Sequence, residues 1–177
     1  AQASRGLSLK PVISKGRPTT VKSRVVAQHQ QMMRIDSEET GEFQKSVYTK
    51  LLSTLRTALA KADLVIISDY GKGVMSESYT QQVIKLARKA GIPVIVDPKG
   101  RDYSKYRGAT SVTPNRGEAE NATGVNCDSE SSIKRCAQKL MSQCGLDFAL
   151  ITLSADGVAL LKHKSTKLTR IPAVTRS

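Results

Sequence analysis

Apolar positions along the chain change period several times, and each change marks an element. Thr20 to Gln28 and Gln31 to Ile35 predict two strands after an irregular start punctuated by Gly6, Pro11 and Gly16. From Glu42 to Ala62 the residues Phe43, Val47, Leu51, Leu52, Leu55, Leu59 and Ala62 recur at helical spacing, so one face packs and the other is wet. Leu64 to Ile67 is a continuous apolar run, the pattern of a strand covered on both faces, and it is expected at the centre of a sheet. Ser76 can cap a following helix that runs through Val83, Ile84 and Ala87 and stops at Gly91.

Pro93 to Val96 then predicts a second buried strand and Ala109 to Thr113 a weaker third. Asn115 and Glu118 have the spacing of a helix start, and a further helix turns Ile133, Ala137, Leu140 and Met141 inward before ending near Gly145. Ala149 to Leu153 reads as a fourth strand, with Val158 to Lys162 and Lys167 to Ile171 as a sheet-edge pair. Strand and helix alternate between 64 and 153, which predicts an α/β fold with a mainly parallel sheet and helices on its faces. Ligands in such sheets bind beyond the carboxyl ends of the strands.

A length of 177 residues suits one domain with a real core. The net charge of +13 suggests an anionic partner, but every acid lies between Asp36 and Asp156 and that stretch is nearly neutral. The basic excess sits at the two ends, and aromatics are 4%, so a nucleic-acid-binding surface is disfavoured. No apolar run is long enough to cross a bilayer and no signal-peptide pattern occurs, so a cytoplasmic protein is expected, with no membrane partner. Cys127, Cys136 and Cys144 match no zinc or redox spacing and read as reduced, structural thiols. His29 and His163 have no neighbours at metal-ligand spacing.

Polar residues follow each predicted parallel strand: Asp69, Tyr70 and Lys72, then Asp97 and Lys99, then Asn115 and Glu118, then Thr152 and Ser154. Each cluster alone is explained by turns, caps and solvated lysines. Acid and lysine at two successive strand ends favour phosphate handling, because phosphoryl transfer needs cations against the phosphates and acids to hold magnesium or orient a hydroxyl. Lys22 and Arg24 lie two apart on one strand face, an anion-binding pair or simply an exposed face. Asn115 and Glu118 read equally well as a plain cap or as a phosphate-binding helix start. Neither GxxxxGK[ST] nor GxGxxG is present, so a nucleotide would be held by another arrangement.

Five stretches together carry a resemblance: RPTTVKSRVVAQHQQMMRID (Arg17 to Asp36), SDYGKG (Ser68 to Gly73), VDPKG (Val96 to Gly100), YRGATSVTPNRGE (Tyr106 to Glu118) and TLSADG (Thr152 to Gly157). Their order and spacing resemble the ribokinase-like, pfkB-type carbohydrate kinases, and within them the D-glycero-β-D-manno-heptose 7-phosphate kinases. These are often the first half of a bifunctional heptose kinase and nucleotidyltransferase.

The resemblance implies a Rossmann-like core with a small β lid, and transfer of the ATP γ-phosphoryl to the sugar's anomeric hydroxyl with Mg2+. It assigns residues 1–36 to the lid and sugar side and 37–177 to the nucleotide-binding core. It places Asn115, Arg116, Gly117 and Glu118 at the ATP site, with Glu118 near the magnesium, and Thr152, Ser154 and Gly157 beside the nucleotide. Asp69 and Lys72 would line the cleft, supported by Asp97 and Lys99, and Lys22 and Arg24 would meet the sugar 7-phosphate. Expected partners are ATP and a sugar phosphate, a second copy in a homodimer, and a fused nucleotidyltransferase domain.

The family's early glycine-rich sugar motif and its late GAGD motif, whose Asp is the catalytic base, do not occur in these residues. The fold is therefore expected to be incomplete at both ends, with the base beyond Ser177 and no turnover by the chain alone. The alternatives are a non-catalytic nucleotide-binding remnant and, less favoured, a basic nucleic-acid-binding module.

Overall fold

The computed structural model describes residues 8–174; Gly6 and the outermost residues of the two expected segments lie outside that range. Up to Thr20 the described chain has no regular element. It then forms an antiparallel hairpin of β1 (Val21–Ala27) and β2 (Gln30–Ser37). Gln28 and His29, both at positive φ, make the two-residue turn that this right-handed twist favours. Pairing of Lys22 with Asp36 and Arg24 with Arg34 puts four charged residues on one face, while Val21, Val25, Met33 and Ile35 share the other.

The helix α1 (Lys45–Leu59) starts three residues later than its apolar period predicts. Gln44 makes no side-chain cap bond there; instead the Tyr48 hydroxyl accepts the Phe43 N–H at 3.1 Å and donates to the Gly73 carbonyl at 2.6 Å. The chain continues through β3 (Val65–Ser68), α2 (Glu77–Lys89), β4 (Val94–Asp97), a short 3-10 turn at Ser104–Tyr106, β5 (Ser111–Val112), α3 (Arg116–Thr123), α4 (Glu130–Cys144), β6 (Phe148–Thr152), β7 (Val158–Lys162) and β8 (Thr169–Ile171). Ser76 caps α2 as expected, accepting the Tyr79 N–H.

β3, β4 and β5 are parallel, and β6 to β8 form an antiparallel set. The two sets abut, because β6 runs parallel to β5 and donates Phe148 N–H to the Thr110 carbonyl and Thr152 N–H to the Pro114 carbonyl. Val94, Val96, Val112, Ala149, Ile151, Ala159 and Leu161 are buried in the sheet, beneath Val83, Ile84 and Ala87 of α2 and Ile133, Ala137 and Leu140 of α4.

The expected central strand is an edge strand among the described elements. β3 pairs only with β4, and its pattern is one-sided: Ile67 is buried while Ile66 is 69% exposed. In register, Val65 and Ile67 share a face with Val94 and Val96, and that is the covered face. An apolar run shows that a strand can be covered twice; which faces are covered depends on neighbours far along the chain.

Candidate active site

The four parallel strands β3 to β6 end on one edge, so the loops after them meet there. Two of those loops are stitched together. Thr152, at the end of β6, bridges to Asn115, and Arg116 reaches over to Asp156 at 2.6 Å and to the Cys127 carbonyl at 3.0 Å. This brings the start of α3, Asn115 to Glu118, beside Thr152 and the 154–157 turn.

Pro114 precedes the cap and Asn115 starts α3 with a full capping box. Asn115 Oδ1 accepts the Glu118 N–H at 2.9 Å, and Glu118 Oε2 accepts the Asn115 N–H at 3.1 Å. Glu118 is thus a cap, but only with one oxygen. Its Oε1 lies 3.5 Å from Lys99 Nζ and is the atom left to face a cation. Ser154 and Gly157 form a tight 3-10 turn with positive φ at both. A Cβ on Gly157 would overlap the Ile171 carbonyl oxygen, so β8 packing alone demands this glycine.

Asp69 sits differently from the expectation that it lines the cleft. It is 5% exposed and turned inward, where its carboxylate accepts from Lys105 Nζ at 2.6 Å, Tyr106 Oη at 2.7 Å and the Gly71 N–H at 2.7 Å. Burial opposes its ionisation, but these donors outweigh burial and hold the carboxyl below the ordinary aspartate value. The Tyr106 hydroxyl also accepts the Lys99 N–H at 3.0 Å, so one phenol ties the loop after β3 to the loop after β4. Burial, chiefly, pushes the Tyr106 phenol well above its usual range. Asp97 closes the same edge, accepting from Ser68 Oγ at 3.3 Å.

Lys72 is half-buried, and it meets the hairpin through an acid. Glu38 lies 2.6 Å from Lys72 Nζ and 3.9 Å from Lys22 Nζ. Lys22 is also 2.6 Å from Asp36, which Arg34 holds at 2.9 Å. Lys22 is therefore largely neutralised by acids, whereas Arg24 stands opposite Arg34 on the same face. Arg17 pins this junction: it donates to the carbonyls of Glu39, Gly41 and Lys72 and lies 3.9 Å over the Phe43 ring. A cavity of about 550 Å³ opens beside it, lined among others by Arg17, Thr20, Phe43, Tyr70 and Lys72.

The pfkB family carbohydrate kinase model matches residues 3–176. The chain belongs to the pfkB family of carbohydrate kinases. It is 42% identical to the bifunctional protein HldE of Wolinella succinogenes over 97% of its length, and 41% identical to HldE of Trichlorobacter lovleyi over 99%. It spans about a third, 36%, of each of these curated relatives. Solved structures agree on the fold. Ribokinase from Giardia lamblia superposes with a TM-score of 0.70 at 21% identity, over 92% of this chain and 50% of that one. A phosphofructokinase-2 mutant from Escherichia coli gives 0.68 at 18%, over 88% and 51%.

Within this kinase fold, no group of three or more His, Cys, Asp or Glu among the described residues has the makings of a resident metal site. A single outward carboxylate oxygen on Glu118 fits a magnesium ion carried mainly by nucleotide phosphates, which needs only one or two protein carboxylates. Sequence reasoning missed Arg17, Glu38, Lys105 and Tyr106. Tyr106 lay inside a quoted motif, but its partner Asp69 is 37 positions away and no local pattern joins them. The three cysteines are buried and free, and burial pushes Cys127 up to about 12 and Cys144 up to about 11, as inert structural thiols require.

Proposed function

We propose that the protein carrying this chain transfers the ATP γ-phosphoryl group to the anomeric hydroxyl of heptose 7-phosphate, with Mg2+. The observation that carries this reading is the bridge between Asn115 and Thr152, which joins the start of α3 to the 154–157 turn on the ligand edge of a pfkB-family sheet. The N–H groups at the start of α3 and the α3 dipole favour anionic phosphate there. Magnesium, when bound with the nucleotide, supplies charge neutralisation for the developing transition state. Glu118 Oε1 offers it a protein ligand, and the turn of Thr152, Ser154 and Gly157 flanks the nucleotide.

On the sugar side, Lys72, Lys22 and Arg24 are the cations offered to a sugar 7-phosphate, and acids already hold Lys72 and Lys22, which leaves Arg24 the larger share of that role. Asp69 acts through its loop, positioning Lys72 and Gly73, since its own carboxylate is satisfied internally. The 177-residue polypeptide is expected to bind ATP at this edge. Similarity to HldE along a third of its length supports a larger protein with a second, nucleotidyltransferase activity. The apolar hairpin face, with Val25 and Ile35 exposed, supports pairing with a second copy. No helix among the described residues is long and apolar enough to cross a membrane.

The test is a kinase assay on the full-length gene product with heptose 7-phosphate and ATP, the anomeric phosphate being read by phosphorus NMR. Glu118→Gln is expected to cut turnover by about a hundredfold, the scale of one lost transition-state electrostatic contact. Near-normal turnover in that variant reduces Glu118 to a cap, and transfer to hexose phosphates but not to the heptose overturns the substrate assignment.

A further inference from the structure

We propose that Lys99 is a phosphate-binding residue of this site, exchanging its hold on Glu118 for the nucleotide's phosphates when a phosphate-borne cation takes the Glu118 oxygen. This rests on the nucleotide reading of the α3 edge given above.

Three lysines on the loops after β3 and β4 reach carboxylates, and they differ in how they are held. Lys72 and Lys105 each approach their acids at 2.6 Å, the short distance of a charge-assisted hydrogen bond, and their side chains are 23% and 22% exposed. Lys99 stands 3.5 Å from Glu118 and its side chain is 56% exposed. A pair this long and this wet contributes little to stability, so changing its partner costs little.

The base of Lys99 is nevertheless fixed. Its N–H is held by the Tyr106 hydroxyl, which the buried Asp69 accepts in turn, and its Cγ lies so close to Gly71 that a Cβ there would be 3.4 Å away. The side chain therefore runs from the loop after β4, past Gly71 in the loop after β3, to the capping box at the start of α3. A fixed root with a loosely held ammonium suits binding an incoming anion better than bracing the fold.

Glu118 supplies the exchange. One of its oxygens is committed to the Asn115 N–H, so Lys99 and a metal ion compete for the other. A nucleotide-bound metal at that oxygen carries anionic phosphate oxygens with it, and these give the released ammonium a more highly charged partner than the carboxylate it leaves.

The experiment uses the full chain as wild type, Lys99→Met, which keeps the stem but removes the charge, and Lys99→Arg. Mn2+ alone is titrated and read by paramagnetic broadening of the Glu118 amide; ATP with magnesium is titrated by calorimetry. Lys99→Met is expected to bind Mn2+ severalfold more tightly, because the competitor is gone, and ATP with magnesium about tenfold more weakly, the scale of one charge-assisted hydrogen bond. Lys99→Arg restores most of the ATP affinity. A structural role for Lys99 gives no such opposite pair of shifts. Affinities within twofold of wild type, or both moving the same way, overturn the proposal while leaving the site reading intact. Wild type that fails to bind ATP overturns the site reading and this proposal with it.

Discussion

Replacing Tyr106 by Phe removes one oxygen atom and leaves the ring that packs edge-on against Tyr103 at 5.6 Å. The hydroxyl makes two contacts that matter, donating to Asp69 Oδ2 at 2.7 Å and accepting the Lys99 N–H at 3.0 Å. A hydrogen bond to a buried charge contributes about 1.5–3 kcal/mol and a neutral one about 0.5–1.5, so the loss is on the order of 2–4 kcal/mol. For a domain of this size that corresponds to a Tm lower by roughly 5–15 °C.

Tyr103→Phe is the internal control, because the buried Tyr103 hydroxyl has no hydrogen-bond partner among the described residues and its removal is expected to be neutral or mildly stabilising. Urea unfolding followed by circular dichroism at neutral pH measures both variants. The pH dependence has a fixed sign. Asp69 is held below its ordinary value in the folded chain, so its contribution is present above the unfolded value of about 3.9 and is lost as pH falls through the lower folded value. The gap between wild type and Tyr106→Phe is therefore widest above pH 4 and narrows in stronger acid. Equal losses for the two tyrosines, or a gap that widens in acid, refute the reasoning.

Three other outcomes follow from the same geometry. Gly157→Ala places a Cβ against the Ile171 carbonyl at a positive φ, and a loss of about 2–5 kcal/mol in urea unfolding is expected; a loss below 0.5 kcal/mol contradicts the packing of β8. Because Asp36 and Glu38 already neutralise Lys22, Arg24→Ala is expected to weaken sugar-phosphate binding by the full-length protein more than Lys22→Ala does, and neither should much affect ATP; the reverse order in calorimetry removes Arg24 from that role. Arg17→Ala withdraws donors from three carbonyls at the root of the hairpin, so proteolysis between 37 and 44 is expected to accelerate well before global unfolding, and unchanged cleavage there sinks the pinning role.

Much of the fold was legible because it rests on local pattern. The inward positions Ile133, Ala137 and Leu140 of α4, the bounds of β7, and the caps at Ser76 and Asn115 each follow from side-chain spacing or from a hydroxyl or amide one turn before its N–H partner. The late start of α1 was hidden because Phe43 fits the helical period but packs against Tyr48 and Arg17 outside the helix. The same holds for β3, whose apolar run does not reveal that only one face finds a cover. In the candidate site, the polar residues after each strand were visible as a set, since topology alone sends strand ends to one edge. What each one touches was not. Asp69 turns inward because Lys105 and Tyr106 arrive from a 3-10 turn more than thirty positions away, and Glu38 joins Lys22 to Lys72 only once the hairpin folds back.

The central claim is that phosphate and nucleotide bind at the edge where Asn115 meets Thr152. The most direct measurement is an amide NMR titration of the chain with ATP and magnesium. Shifts concentrated in residues 115–118 and 152–157, with smaller ones around Lys99, are the predicted result. No binding, or shifts gathered instead at the opposite end of the sheet around the basic cavity of Lys162, His163 and Lys164, would contradict the account.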